Sequence, residues 1–292
     1  MRTGELHSTD ELRRSDELRR MQRRENFPVA GRLLPGAVRA DLTAVYDVAR
    51  TIDQIGDETD GSTPEDRLAA LDAFDSDLTL VWANLPHPRH PVLVRLVPTV
   101  HRHRLPIAPF RALIEANRVD QRQSTYPTWD DLRSYCALSA DPVGRIVLGI
   151  FDAATPQRIA WSDDVCTALQ VVEHCQDVAE DRRRGRVYLP LETLDANGVG
   201  LADLDRSTTT AGLRAAVARE TLRCDLLLRR SGTALVATLR GIARVVVAGY
   251  VAGGLATVDA LRRADFDVMV TTPRPRKRDV ARHALRLIGR RS

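Results

Sequence analysis

Three observations predict an all-α fold. Ala, Leu, Arg and Val dominate the 292 residues while aromatics make up only 4%, a balance that favours helix over sheet. Proline and glycine divide the chain into segments whose apolar residues recur at a helical period. No segment sustains the alternation of a half-buried strand. With 43% hydrophobic residues the chain can bury a sizeable core, and it holds neither a repeat nor a linker long enough to separate domains.

The elements follow in order. Residues 1–24 are charged throughout and lack the apolar stretch of a secretory signal, so they read as a charged, partly disordered lead-in. Pro35 and Gly36 open a helix running to about Glu58. Thr63, Pro64, Glu65 and Asp66 supply a cap, a first-turn proline and first-turn acids for the next, which should end near Asn84. After the loop "LPHPRHP", helices are expected to about Arg104 and from Pro106 to about Gln123. Thr128 caps a helix with Asp130 and Asp131 in its first turn, continuing to about Phe151 with a kink at Pro142. Pro156 begins a long helix that Gly185 ends, and beyond an irregular stretch at 186–205 the pattern predicts helices over about 208–231, 233–255 and 257–268. The apolar run at 234–258 is long enough to span a bilayer, but Arg240 and Arg244 would each cost roughly 2.5–3.5 kcal/mol there, so it is expected to be a core helix. Its small residues Ala248, Gly249, Ala252 and Gly253 would leave space beside it.

Charge narrows the class. The net charge of +4 is concentrated in the tail, which carries Arg274, Arg276, Lys277, Arg278, Arg282, Arg286, Arg290 and Arg291. No basic face interleaved with aromatics appears in the centre, so nucleic acid is not an expected partner. The tail also has Val280, Ala281, Ala284, Leu285 and Ile288 at helical spacing, which suits either an anionic lipid surface or a solvated terminal helix. Cys136, Cys166, Cys175 and Cys224 show no metal-ligand spacing and are expected as free thiols in a reducing cytoplasm, so the protein is expected there, at most peripheral at the inner membrane face. His87, His90, His101 and His103 have no carboxylates at ligand spacing and do not suggest a metal site.

Two acidic patches carry the chemistry. "YDVARTIDQIGDE" places Asp53 and Asp57, and "EHCQDVAEDRRRGRVYLP" places Asp177 and Asp181, one helical turn apart. Carboxylates at i and i+4 share a face and repel by a few tenths of a kcal/mol. Either pair alone is more readily an ordinary solvated helix face. Together, on apolar helices with Arg50, Arg182 and Arg186 close in sequence, they suit Mg²⁺ held by hard oxygens and bridged to a diphosphate, with arginines as planar phosphate donors.

Four stretches, "ENFPVAGRLLP", "YDVARTIDQIGDE", "YPTWDDLRSYCALSADPVG" and "QDVAEDRRRGRVYLP", resemble in order and spacing the squalene/phytoene synthase family of trans-isoprenyl diphosphate synthases over about residues 25–270, leaving 271–292 as a basic tail. "ENFPVA" and Gln176 are most similar to the hydroxysqualene synthases of bacterial hopanoid pathways. The resemblance implies a single-domain helical bundle of the class I isoprenoid synthase type around an apolar cavity. It implies two or three Mg²⁺ ions, no NADPH, and conversion of presqualene diphosphate to hydroxysqualene by ionisation and water quenching. A paralogous synthase and a flavin oxidase would be pathway partners.

Residue by residue, the resemblance makes Asp53 and Asp57 one metal site and Asp177 and Asp181 the other. Tyr46 and Arg50 would contact diphosphate, Phe27 would lie on the opening segment that closes over the same group, and Ser139, Ala140, Val143 and Gly144 would line the tunnel. Arg118 and Phe266 stand where condensing members usually carry tyrosine, and Glu173 and Gln176 where many carry asparagine and arginine. Glu173 and Gln176 are therefore candidates for aiming the quenching water. A head-to-head condensing synthase, or a non-catalytic partner of a paralogue, is the competing reading.

Overall fold

The computed structural model describes residues 34–57, 61–83 and 87–289. Among these the β structure is confined to one isolated parallel bridge between Thr125 and Val187. The rest is helical, as the sequence predicts.

Helix α1 (Gly36–Asp57) is followed by α2 (Pro64–Thr79), which starts at a capping box between Thr63 and Asp66, and by a 3₁₀ turn (Leu80–Trp82). Then come α3 (Pro91–His103) and α4 (Ala108–Asp120). A second capping box, Thr128 with Asp131, starts α5 (Trp129–Ser139). The kink expected at Pro142 is a full break at Ala140, with Pro142 in the first turn of a separate helix α6 (Asp141–Ile150).

The long helix expected from Pro156 to Gly185 is interrupted at Asp177 (φ −105°, ψ 18°) into α7 (Pro156–Gln176) and α8 (Val178–Arg183). The stretch at 186–205 contains α9 (Leu191–Ala196) and a 3₁₀ turn (Leu201–Asp205). Helix α10 (Ala211–Leu227) runs through a π turn (Leu228–Gly232) into α11 (Thr233–Thr238). Extended backbone at Leu239 and Arg240, with Gly241 at φ +55°, starts α12 (Gly241–Arg263), so the expected boundary near residue 256 is instead at 239–240. Helix α12 passes unbroken through Gly253 and Gly254 because it lies tight against its neighbours: a Cβ on Gly254 would overlap Leu169 and Leu228.

Two apolar clusters share α6. One joins α1 to α4 through Val48, Ile52, Leu71, Leu93 and Phe110 with Ile146; the other joins α5, α7, α10 and α12 through Leu132, Val171, Val217, Val251 and Val258. The basic C-terminal segment forms α13 (Lys277–Gly289), docked along α12 by ion pairs Arg263–Asp279 (2.8 Å) and Arg282–Asp259 (2.9 Å). Helix α12 is the one described helix long and apolar enough to cross a membrane, and most of its apolar stretch is buried between α7, α10 and α13.

Candidate active site

Tyr46, Arg50, Asp53 and Asp57 fall on one stripe of α1 by their spacing of four, three and four. The stripe reaches the C-terminal end of the helix, where Asp53 and Asp57 are exposed. Helix α4 crosses closely enough for Asn117 Nδ2 to donate to Asp53 Oδ1 (3.3 Å) and for Gln121 Nε2 to donate to the Gly56 carbonyl (3.0 Å). That approach requires glycine, since a Cβ on Gly56 would overlap the Asn117 amide.

The second acidic pair sits at the α7/α8 break, where the Asp181 N–H still donates to the Asp177 carbonyl (2.8 Å). Burial pushes the Asp177 carboxyl up to about 6, with Asp181 and Glu180 adding to the shift and His174 and Arg274 opposing it. His174 Nδ1 lies 3.5 Å from Asp181 Oδ2, and its ring stacks on Tyr188 with centroids 3.7 Å apart.

Arg186 joins the two motifs. Its Nη1 is 3.0 Å from Asp57 Oδ1, and with His174, Asp181 and Tyr188 it borders one small cavity. The following backbone fixes it: the Val187 N–H donates to the Ser124 carbonyl (2.7 Å) and the Leu191 N–H to the Tyr126 carbonyl (2.9 Å). This is the structural work of the apolar "VYLP" that follows the acidic motif. Behind Arg186, Asp120 accepts from Tyr135 (2.7 Å) and Tyr188 (3.3 Å). Burial raises the Asp120 pKa, and the Arg186 charge opposes the rise. Tyr126 stacks on Tyr188, and its buried hydroxyl has no hydrogen-bond partner among the described residues.

From this polar end an apolar path leads into the bundle. Two cavities of about 30 Å³ each share Leu169 and Tyr250 as common walls. One reaches Glu173, Gln176, Gly253 and Thr257; the other reaches Val143, Gly144, Ser162 and Cys166. Gln176 is buried and donates its amide to the Pro273 carbonyl, so the chain leaving α12 is strapped across the second motif.

The residues expected from sequence are thus unequally placed. Asp57 pairs with Arg186, which lines one cavity with Asp181; Asp53 is held from α4 by Asn117, and Glu173 and Gln176 line a separate cavity. Arg182 does not join them: its guanidinium is held by both oxygens of Asp205 at 2.7 and 2.8 Å. Val143 and Gly144 line the inner cavity, whereas Ser139 lies outside its wall with a buried hydroxyl that has no partner among the described residues. Phe27 lies outside the described residues. Sequence reasoning missed Asn117, Asp120, Tyr135, Tyr188 and His174. Polar residues at 117, 120 and 121 on an amphipathic helix were the available signal.

Among the described residues no group of three or more His, Cys, Asp or Glu could hold a metal alone. One acid of each pair, Asp57 and Asp181, borders Arg186 or its cavity, and the cost of burial and crowding at Asp177 is what a divalent cation would relieve. Two carboxylates per side, with water and phosphate completing the shell, fit Mg²⁺.

Known proteins are similar to this chain in sequence and in helical fold. A family model described as squalene/phytoene synthase matches residues 21–283. Hydroxysqualene synthase from Zymomonas mobilis is 37% identical over 210 residues, covering 71% of this chain and 68% of that enzyme. Phytoene synthase from Mycobacterium bovis is 35% identical over 176 residues, covering 60% of this chain and 56% of that enzyme. The crystal structure of squalene synthase HpnC from Alicyclobacillus acidocaldarius superposes with a TM-score of 0.75 at 39% identity, over 88% of this chain and 96% of the other. With the acidic motifs converging on Arg186 and a match that spans nearly all of the helical bundle, the chain belongs to the squalene/phytoene synthase family, whose members are isoprenoid synthases acting on prenyl diphosphates.

Proposed function

We propose that the enzyme ionises presqualene diphosphate and quenches the resulting carbocation with water, releasing hydroxysqualene and inorganic diphosphate for hopanoid biosynthesis. The observation that carries this reading is Arg186, which stands between Asp57 and Asp181 and so gives one leaving group a cation and acids from both motifs.

Asp53 and Asp57 would hold Mg²⁺ on one side of the diphosphate and Asp177 and Asp181 on the other. The bound ions supply Lewis-acid stabilisation of the charge that develops as the C–O bond breaks. Arg186 and Arg50 donate to the phosphate oxygens, adding fixed positive charge where negative charge grows. The hydrocarbon lies along the path walled by Leu169, Tyr250, Val143 and Gly144, which keeps the cation from bulk water. The cavity beside Glu173 and Gln176 has room for a water. Gln176, fixed by Pro273, orients that water, a C–O bond forms, and the water's proton passes to Glu173. No hydride moves, so the reaction calls for no nicotinamide.

Similarity to phytoene synthases favours a second reading, head-to-head condensation of two prenyl diphosphates. Arg118, where condensing members usually carry tyrosine, is bound to Asp72 (2.6 Å) and Asp75 (3.1 Å) and offers no free hydroxyl or base. Purified protein should convert presqualene diphosphate with Mg²⁺ to hydroxysqualene, identified by mass spectrometry, and leave farnesyl diphosphate untouched. Consumption of farnesyl diphosphate alone, giving presqualene diphosphate or squalene, would replace this reading with the second.

A further inference from the structure

The outer faces of α10 and α13 share a composition that the reaction does not use. On α10 the outward residues include Arg219, Leu222 and Leu226, and the stripe continues at a spacing of three or four into Arg229 and Arg230. Leu222 is 52% and Leu226 61% exposed. Both acids of this helix turn inward: Glu220 is buried against Thr193 and Arg223, and Asp225 is buried beneath Arg229 and Arg262.

Helix α13 repeats the arrangement. Its outward residues include Arg278, Leu285 (72% exposed), Arg286 and Ile288, while its acid Asp279 is buried between Arg263 and Arg282. Val280 and Ala284, which the sequence offered as part of a lipid-facing stripe, pack instead against the core. Arg244 donates to the carbonyls of Leu287 (3.5 Å) and Ile288 (3.0 Å), fixing the last turn of α13 to the body. The two faces are contiguous, since Arg229, Leu285 and Arg286 border one groove of about 550 Å³ with Leu255 among its walls.

We propose that this composite face docks the enzyme on an anionic lipid bilayer. Leucines set among arginines with every acid turned inward satisfy both halves of such a surface: the apolar tips enter the acyl boundary while the guanidinium groups reach the headgroups. A nucleic acid would match the arginines but leave the leucines in water. A second copy would set arginine against arginine. The groove between these faces shares no lining residue with the Arg186 cavity, and the proposal stands whichever prenyl diphosphate is the substrate.

The test is flotation of the full-length protein with vesicles of phosphatidylcholine alone or containing phosphatidylglycerol, at low and high salt. Co-flotation with anionic vesicles, reversed by salt, is expected. Two surface variants, Leu226→Glu/Leu285→Glu and Arg230→Glu/Arg286→Glu, should each weaken partitioning by about tenfold or more while keeping the wild-type circular dichroism and melting temperature. Failure of the wild-type chain to float with anionic vesicles, or undiminished flotation of both variants, overturns the proposal. So does a dimer in light scattering that Leu226→Glu/Leu285→Glu dissociates while vesicle binding is absent.

Discussion

The two acidic motifs have the same spacing in sequence and different surroundings in the fold. Asp53 and Asp57 ride an unbroken helix, exposed, and their partners come from elsewhere: Asn117 on α4 and Arg186 beyond α8. Asp177 and Asp181 straddle a helix break and are half-buried, and burial, with the Asp181 charge adding to it, pushes Asp177 up to about 6. The first pair therefore keeps its hydration, whereas the second stores the cost of buried and crowded charge. A shared motif gives two carboxylates on one face; the packing around it decides how much free energy a bound cation recovers.

The largest expected effect falls on both motifs alike. Replacing Asp53, Asp57, Asp177 or Asp181 singly by Ala should lower turnover by about 10²–10³-fold, the loss typical of removing one preorganised electrostatic group. Circular dichroism should remain native. Any one variant with near-normal steady-state turnover removes that residue from the metal site and breaks the symmetry assumed between the pairs.

Next is the link between them. The Arg186 charge opposes the pKa rise of half-buried Asp120, which also accepts from Tyr135 and Tyr188, so Arg186→Met should leave that carboxylate less compensated and destabilise the fold by about 1–3 kcal/mol. Asp57→Ala removes an exposed partner of the same arginine and should change stability by less than about 1 kcal/mol. Urea titrations of the two variants measure both values. Equal losses would mean that Arg186 is held chiefly by Asp57 and not by the half-buried Asp120 behind it.

How much of this could be read from the chain depends on range. The helical class, the caps at Thr63 and Thr128 and both acidic pairs are local, encoded within a turn or two. The break at Asp177 is not, because neither glycine nor proline marks it, and neither is the continuity of α12, where Gly253 and Gly254 suggest an end that packing on α7 prevents. Asp120, Tyr135 and Tyr188 become a cluster only when α4, α5 and the strap after α8 meet. Arg182 and Arg186 look equivalent in "RRRGR", yet only the second is turned toward the acids by the bridge between Thr125 and Val187.

A pH series sharpens the contrast between the pairs. The Asp177 carboxyl titrates near 6 in the fold against about 3.9 in the unfolded chain, so the folded state binds the extra proton and stability falls as pH rises from about 4 to 6. Asp177→Asn should therefore raise metal-free stability at pH 8 by about 1–2 kcal/mol after solvent screening and flatten this slope. Asp53→Asn should do neither. Thermal melts across that range, without added metal, supply the comparison, and a slope unchanged by Asp177→Asn would locate the stored repulsion elsewhere.

The smallest expected effect belongs to Arg182. It is one residue from Asp181 and carries the same charge as Arg186, but Asp205 holds its guanidinium through two hydrogen bonds. The Asp205 side chain is 56% exposed, so solvent screens the pair and little stability rests on it. Arg182→Ala should change turnover by less than about twofold and leave KM for the diphosphate substrate unaltered, because nothing around the Arg186 cavity loses a partner. A KM raised about tenfold with kcat preserved would show that Arg182 leaves Asp205 to bind diphosphate. The second motif would then bring two guanidinium groups to the diphosphate where the first brings Arg50 alone, and the difference between the motifs would lie in their arginines as much as in the burial of their acids.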